Sequence, residues 1–234
     1  DGSVIESYLD FTARDVAQLF NLGLEQLEIK SVYAIIGGSV GGGIAWEMAA
    51  LSPQLAQHLI PIATDWKATD WLMANCYLQE QILNNSSRPI EDARIHAMLC
   101  YRTPESFEVK FNRTINDELG VFNIESWLAH HGEKLQQRFQ LASYKLMNQL
   151  LKTIDITRGR GSFESVVAPI TANIHIIGIN TDLFFTPTEN RKTNLELQQL
   201  QHQVSYQEID SIHGHDAFLI EFEQLHRLLA TVFE

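Results

Sequence analysis

The chain of 234 residues carries a formal net charge of −12, with 45% hydrophobic and 20% charged residues. That mix belongs to a globular chain with a sizeable core. It excludes a duplex-binding face, because no Lys/Arg run is present to displace the counterions around phosphate. No apolar run approaches the ~20 residues that span a bilayer, and no charged-then-apolar leader opens the sequence. The two cysteines, Cys76 and Cys100, are too few and too far apart for a disulfide framework or a zinc site. The expectation is a cytoplasmic protein with neither nucleic acid nor membrane as partner and no metal. An anionic substrate would need a local basic patch against the overall negative field.

In chain order, Thr12 to Gly23 reads as a helix with Val16, Leu19 and Phe20 on one face. Val32-Tyr33-Ala34-Ile35-Ile36 is a short apolar run bounded by glycine, as in a buried parallel strand. Gly37-Gly38-Ser39-Val40-Gly41-Gly42-Gly43 follows, then a helix from Ile44 to about Leu51, stopped before Pro53. Leu59 to Ala63 is a second strand. From about Thr69 to Thr153 the pattern is helical, with no convincing strand. Strand signals return at Ile174 to Ile179 and Val204 to Ile209, separated by a helix over Thr188 to His202, and Ala217 to Phe233 closes the chain as a helix. Strands alternating with helices give a parallel sheet. The expected organisation is a core of residues 1–66 and 170–234 with a helical cap of residues 67–169 inserted above the sheet's carboxyl edge.

Gly37-Gly38-Ser39-Val40-Gly41 fits G-x-S-x-G between a predicted strand and a predicted helix, the setting of a nucleophile elbow in an α/β-hydrolase fold. There the tight turn lifts the serine hydroxyl above the sheet, and the Val40 N–H donates to an oxyanion at the positive end of the next helix. The alternative is a glycine-rich turn that binds phosphate or only packs closely. It is not a P-loop, since no Gly-Lys-Ser/Thr follows.

A serine hydroxyl needs a base to take its proton, and in this scaffold an acid and then a histidine follow late strands. Asp182 sits just after the strand ending at Ile179. His213 and His215 both follow the strand ending at Ile209, and spacing alone does not separate them. Asp210 and Asp216 are rival acids, but both lie close in sequence to the base.

Taken together, these residues resemble the homoserine O-acetyltransferase family of α/β-hydrolase-fold acyltransferases. The family's G-G-S-M-G-G elbow is matched by Gly37 to Gly42, with Val40 replacing methionine. Its G-H-D-A-F-L element stands as Gly214-His215-Asp216-Ala217-Phe218-Leu219, and its acid loop as Asp182-Leu183-Phe184-Phe185-Thr186-Pro187. In the cap, Ala93-Arg94-Ile95, Cys100-Tyr101-Arg102, Ile124-Glu125-Ser126-Trp127-Leu128, Arg138-Phe139 and Ser143-Tyr144 match further family elements. The resemblance implies Ser39 as nucleophile, His215 rather than His213 as base, and Asp182 as the acid that orients it. It also implies Asp216 on the amino group of L-homoserine, Arg94 and Tyr101 at its carboxylate end, and acetyl-CoA as co-substrate with no bound cofactor. A homodimer formed through the cap follows from the same resemblance. Without it, Arg94 and Tyr101 read as a packing pair on one helix.

Only about thirty residues precede the elbow strand. In this scaffold several strands and a loop carrying a second oxyanion donor normally come first. The expectation is therefore a piece of a longer protein, with an exposed edge on the elbow strand. Succinyl transfer, serine as acceptor, an esterase on the same scaffold and a catalytically inactive fragment remain as alternatives.

Overall fold

The computed structural model describes residues 7–233. Helix α1 (Ala13–Gln26) leads into strand β1 (Val32–Gly38), helix α2 (Val40–Leu51) and strand β2 (Ala56–Ile62). Strand β5 (Asn173–Ile179), helix α9 (Pro187–Gln199), strand β6 (Val204–Ile209) and helix α10 (Phe222–Phe233) complete the core. The four strands form one parallel sheet in the order β1-β2-β5-β6, in register Ile36↔Ile60, Leu59↔Ile174 and Ile177↔Gln207. The long connection between β2 and β5 holds the helical block expected there. The two inner strands, β2 and β5, are largely buried on both faces because helices cover each side of the sheet.

On one side of the sheet Ile35, Leu59, Ile174 and Ile176 pack with Trp46 and Ala49 of α2 and with Phe163, Val166 and Val167. On the other, Ile60, Ile62, Ile177, Ile179 and Ile209 meet Val232 and the partly buried Leu225, Leu228 and Leu229 of α10. Strand β1 pairs only with β2 among the described residues, and its Tyr33 and Ile36 side chains are exposed. Beside it, the Glu47 carboxylate of α2 is 2% exposed and takes guanidinium groups from Arg14 at 3.2 Å and Arg160 at 2.7 Å. These pairs tie α1 and the segment leaving the cap to the elbow helix.

The cap is built from α3 (Asp70–Asn85), α4 (Pro89–Tyr101), α5 (Pro104–Phe111), α6 (Asn123–Gln136) and α7 (Leu141–Lys152). Thr69 and Thr103 cap α3 and α5 by accepting from the backbone three residues on, and Pro89 and Pro104 open α4 and α5 at positions where a missing N–H costs nothing. Between α5 and α6 lies a hairpin of two-residue strands, β3 (Ile115–Asn116) and β4 (Val121–Phe122), in a stretch whose residue pattern carries no strand signal. Helix α8 (Phe163–Val167) then returns the chain to the core, its Phe163 stacked on Trp66 at 4.3 Å.

Candidate active site

Ser39 is the hinge between β1 and α2. Its backbone sits at φ 55° and ψ −126°, a conformation costly for a residue with a Cβ and held here by the surrounding structure. The glycines explain how the turn closes. A Cβ on Gly37 would meet Gly41 O at 2.2 Å, one on Gly38 the Phe218 ring at 2.7 Å, and one on Gly42 the Thr64 methyl at 2.1 Å. Gly41, by contrast, faces open space. Helix α2 begins at Val40, earlier than the Ile44 start that the sequence pattern indicates. Val40 N–H is thus the first of the helix, where the backbone donors are unpaired and the dipole is positive.

The Ser39 hydroxyl lies 2.9 Å from His215 Nε2, and His215 Nδ1 lies 2.7 Å from Asp182 Oδ2. The ionised carboxylate only accepts, so Nδ1 carries the proton and Nε2 is left to accept from the serine hydroxyl. Asp182 Oδ1 is occupied as well, taking the N–H groups of Phe184 at 2.7 Å and Phe185 at 2.9 Å. Asp182 is 2% exposed and His215 4%. His213 points elsewhere: its Nδ1 lies 3.0 Å from Ser106 Oγ and 3.3 Å from Arg102. Asp210 takes the Asn180 amide at 2.5 Å and is exposed, remote from the imidazole chain.

The two loops that carry acid and base are bonded to each other. Thr181 Oγ1 donates to Ser211 O at 2.6 Å and accepts from Gly214 N at 3.2 Å, while Ser211 N donates to Asn180 Oδ1 at 3.0 Å. Gly214 sits at φ 65°, and a Cβ there would meet Tyr101 O at 2.9 Å, so the base loop touches the end of α4 where only glycine fits. Thr103 Oγ1 donates to Ile212 O from the same corner of the cap.

Four aromatic rings surround the imidazole, which motif spacing does not reveal. Their centroids lie at 5.3 Å (Phe184), 5.4 Å (Tyr101), 5.6 Å (Phe218) and 5.7 Å (Phe185) from that of His215. The Phe-Phe pair two residues after Asp182 is the available signal for half of this cage.

Above Ser39 a cavity of about 210 Å³ is lined by Ser39, Val40, Arg94, Tyr101 and Phe184, among others. This is smaller than the ~300–1,000 Å³ of pockets for drug-sized ligands. Arg94 lies over the Tyr101 ring at 5.7 Å, so the two residues pack together and also face the cavity. Asp216 is absent from that lining; its carboxylate is 3.7 Å from Arg102. Burial pushes the Asp216 carboxyl up, against the pull of His215, Arg102 and Arg94. Burial also raises the Tyr101 phenol well above its usual range and the Tyr144 phenol to about 12.

The cavity lining also includes polar side chains that no motif in the sequence marks: Asn75 and Gln79 of α3, His96 of α4 and Asn148 of α7. The signal that could have found Asn75 and Gln79 is their spacing, four apart on one helix and so on one face. Cys76 and Cys100 also line the cavity as free thiols. Burial raises the Cys76 thiol to about 12 and holds Cys100 above its usual value, so neither offers a thiolate to compete with Ser39.

Residues 5–88 match the family model of the alpha/beta hydrolase fold. Solved structures agree over the whole chain. A homoserine O-acetyltransferase from Bacillus anthracis superposes with a TM-score of 0.85 at 19% identity, over 100% of this chain and 67% of that one. The esterase E22 superposes with a TM-score of 0.87 at 17% identity, over 99% of this chain and 71% of that one. The protein is an α/β-hydrolase fold with a helical cap.

Sequence relatives narrow this. The chain is 32% identical to the homoserine O-acetyltransferase of Cyclobacterium marinum over 97% of its own length and 67% of the relative's. It is 33% identical to that of Thermus thermophilus over 93% of its own length and 57% of the relative's. It belongs to the homoserine O-acetyltransferase family. The chain spans about three fifths to two thirds of the length of the curated relatives it matches. No helix among the described residues is long and apolar enough to cross a membrane.

Proposed function

We propose that the protein transfers an acetyl group from acetyl-CoA to the hydroxyl of L-homoserine, through an acetyl ester on Ser39. The observation that carries this reading is the hydrogen-bonded series Ser39–His215–Asp182 beneath a small cavity whose cation, Arg94, pairs with no carboxylate among the described residues. His215 Nε2 takes the proton as Ser39 Oγ attacks the thioester carbonyl, and Asp182 stabilises the imidazolium. The oxyanion receives the Val40 N–H at the positive end of α2. Collapse breaks the C–S bond and the proton leaves on the CoA thiol. In the second half the homoserine hydroxyl gives its proton to His215 and attacks the acetyl ester, and that proton returns to Ser39 Oγ.

Arg94 with Tyr101 receives the homoserine carboxylate, and Asp216, on the base loop beside His215 and next to Arg102 of the cap, receives its amino group. The cavity volume favours acetyl over a longer acyl chain, and the aromatic rings around His215 keep water from the ester. Exposed Tyr77, Leu78 and Leu99 on α3 and α4 support a homodimer through the cap. The likeness to an esterase scaffold supports hydrolysis as the second reading, in which water replaces homoserine. Release of CoA from acetyl-CoA, with and without L-homoserine and with a Ser39→Ala control, separates the two. Release that homoserine does not accelerate, or no acetyl adduct of Ser39 by intact mass, overturns the transferase.

A further inference from the structure

Charge in the cavity above Ser39 is lopsided. Among the described residues that line it, Arg94 is the one charged side chain, and no carboxylate faces it there. Its guanidinium lies over the Tyr101 ring at 5.7 Å, and Tyr144 lines the same space. Burial keeps the Tyr101 and Tyr144 phenols protonated, so both can donate. Burial also lowers His96, which therefore stays neutral at pH 7 and adds no second cation. The amides of the lining are uncharged and partly spent inside the protein. Asn75 Nδ2 donates to Trp71 O at 2.9 Å, Gln79 Nε2 to Ala93 O at 3.0 Å and Asn148 Nδ2 to Cys76 O at 2.9 Å.

Asp216 lies outside this lining and already has a cation: the Arg102 guanidinium is 3.7 Å from its carboxylate, and both side chains are mostly buried. An ammonium that reaches Asp216 either joins a carboxylate that Arg102 already neutralises or displaces Arg102 from its anion. In both cases one cation is exchanged for another, and little net affinity is gained. A carboxylate that enters the cavity instead meets a guanidinium that no anion occupies.

We propose that the site selects its acyl acceptor by the carboxylate and not by the amino group, and so also acetylates short ω-hydroxycarboxylates that carry no amino group, such as 4-hydroxybutanoate. Arg94 and the Tyr101 and Tyr144 hydroxyls hold the carboxylate, which makes Tyr144 a specificity-determining residue. The proposal rests on the acyl-transfer reading above. Homoserine and 4-hydroxybutanoate share one carbon chain, so the reach from Arg94 to Ser39 is the same for both. The acceptor oxygen takes the acetyl group from Ser39, and its proton passes through His215 to Ser39 Oγ. The acetyl ester of the hydroxy acid then leaves, and the free serine is restored.

The test is steady-state CoA release from acetyl-CoA with three acceptors. These are L-homoserine, 4-hydroxybutanoate (homoserine without its amino group) and 3-aminopropanol (homoserine without its carboxylate). The kcat/KM for 4-hydroxybutanoate should stay within about tenfold of that for homoserine, and that for 3-aminopropanol should fall by about a hundredfold or more. Tyr144→Phe should lower kcat/KM for homoserine and 4-hydroxybutanoate alike, by about tenfold and mostly through KM, and should move 3-aminopropanol less. A merely structural Tyr144 would move all three together, and that result removes its assignment. A fall beyond about tenfold on losing the amino group, or 3-aminopropanol outperforming 4-hydroxybutanoate, overturns the proposal. Calorimetric titration of the two analogues into the same protein keeps this apart from the transferase reading. Tighter binding of 4-hydroxybutanoate where no acceptor, homoserine included, accelerates CoA release keeps carboxylate selection and removes the transferase with both its acceptors. Turnover of homoserine without that of 4-hydroxybutanoate does the reverse.

Discussion

Two sides of Ser39 are built differently. On the sheet side every polar atom of the series has its partner before any substrate arrives: both Asp182 oxygens are occupied, both His215 nitrogens are engaged, and four rings hold the imidazole. On the cap side the groups are left open. Arg94 rests on an aromatic ring instead of a carboxylate, and Gln79 Oε1 is buried without a partner among the described residues. Gln79 Nε2 is spent on Ala93 O at 3.0 Å and on His96 Nδ1 at 2.8 Å, which leaves only the acceptor end unused. The sheet side is preorganised for proton transfer, and the cap side keeps unmet polar groups that a ligand can satisfy.

That contrast is broken most severely on the sheet side. On the proposed reaction Ser39→Ala and His215→Ala should each lower kcat by about 10⁴–10⁶-fold, since the members of such a series act as a unit. Asp182→Asn should cost about 10⁴-fold by favouring the wrong tautomer. Steady-state acetyl-CoA turnover measures all three, and homoserine binding should be retained. A loss of only a few-fold in Ser39→Ala would remove the nucleophile assignment. On the cap side, Arg94→Met should instead raise the KM for homoserine about 30–100-fold with a smaller change in kcat, as expected when a charge-assisted hydrogen bond is removed from a buried site. A kcat effect as large as its KM effect would move Arg94 to the chemical side of the comparison.

How far this is legible in the sequence differs along the same line. Strands β1 and β5 stand where apolar β-branched runs place them and β6 where apolar and polar residues alternate from Val204 to Ile209, and the elbow and acid loop lie at the carboxyl ends of β1 and β5. The start of α2 is hidden because Gly41, Gly42 and Gly43 are poor helix formers; tertiary contacts with Thr64 and Ile154 override that preference. The apolar pattern runs the closing helix continuously from Ala217, whereas a 3₁₀ turn over Gly214–Leu219 comes first and carries His215 inward before α10 begins. The hairpin of β3 and β4 has two residues per strand, too short for any period to show. The cage around His215 draws Tyr101 from more than a hundred positions away, a proximity that no local pattern carries.

A smaller effect separates fold stability from chemistry at the hinge between sheet and cap. Asp65 follows β2, is buried, and its Oδ1 accepts from Trp66 N at 2.8 Å and Thr193 Oγ1 at 2.9 Å. Burial raises its carboxyl from 3.8 to about 7. In the unfolded chain the group ionises near pH 4, so between about 4 and 7 the native state holds the extra proton and stability falls as pH rises. Above about 7 the loss is complete, and below about 4 it vanishes. Asp65→Asn keeps the Oδ1 acceptor and removes the titration. It should therefore stabilise the fold relative to the wild type progressively from about pH 5 to 8, the gain growing by on the order of 2 kcal/mol over that range. Thermal midpoints of the two proteins across the same range measure it. A gain that does not grow with pH would show that the carboxyl ionises normally in the native state.

The smallest effect tests the elbow itself. The G-x-S-x-G pattern treats Gly37 and Gly41 alike, but a Cβ at Gly37 collides with the backbone of the turn while Gly41 faces empty space inside a helix. Gly41→Ala should therefore stabilise the protein by about 0.4–1 kcal/mol, because the unfolded chain loses freedom and the native one meets no obstacle. Gly37→Ala should disrupt the turn and with it the Ser39 backbone. Denaturant midpoints of the two variants measure the difference. If Gly41→Ala also destabilises, the space beside Gly41 is not free in the native turn, and turnover should fall with stability.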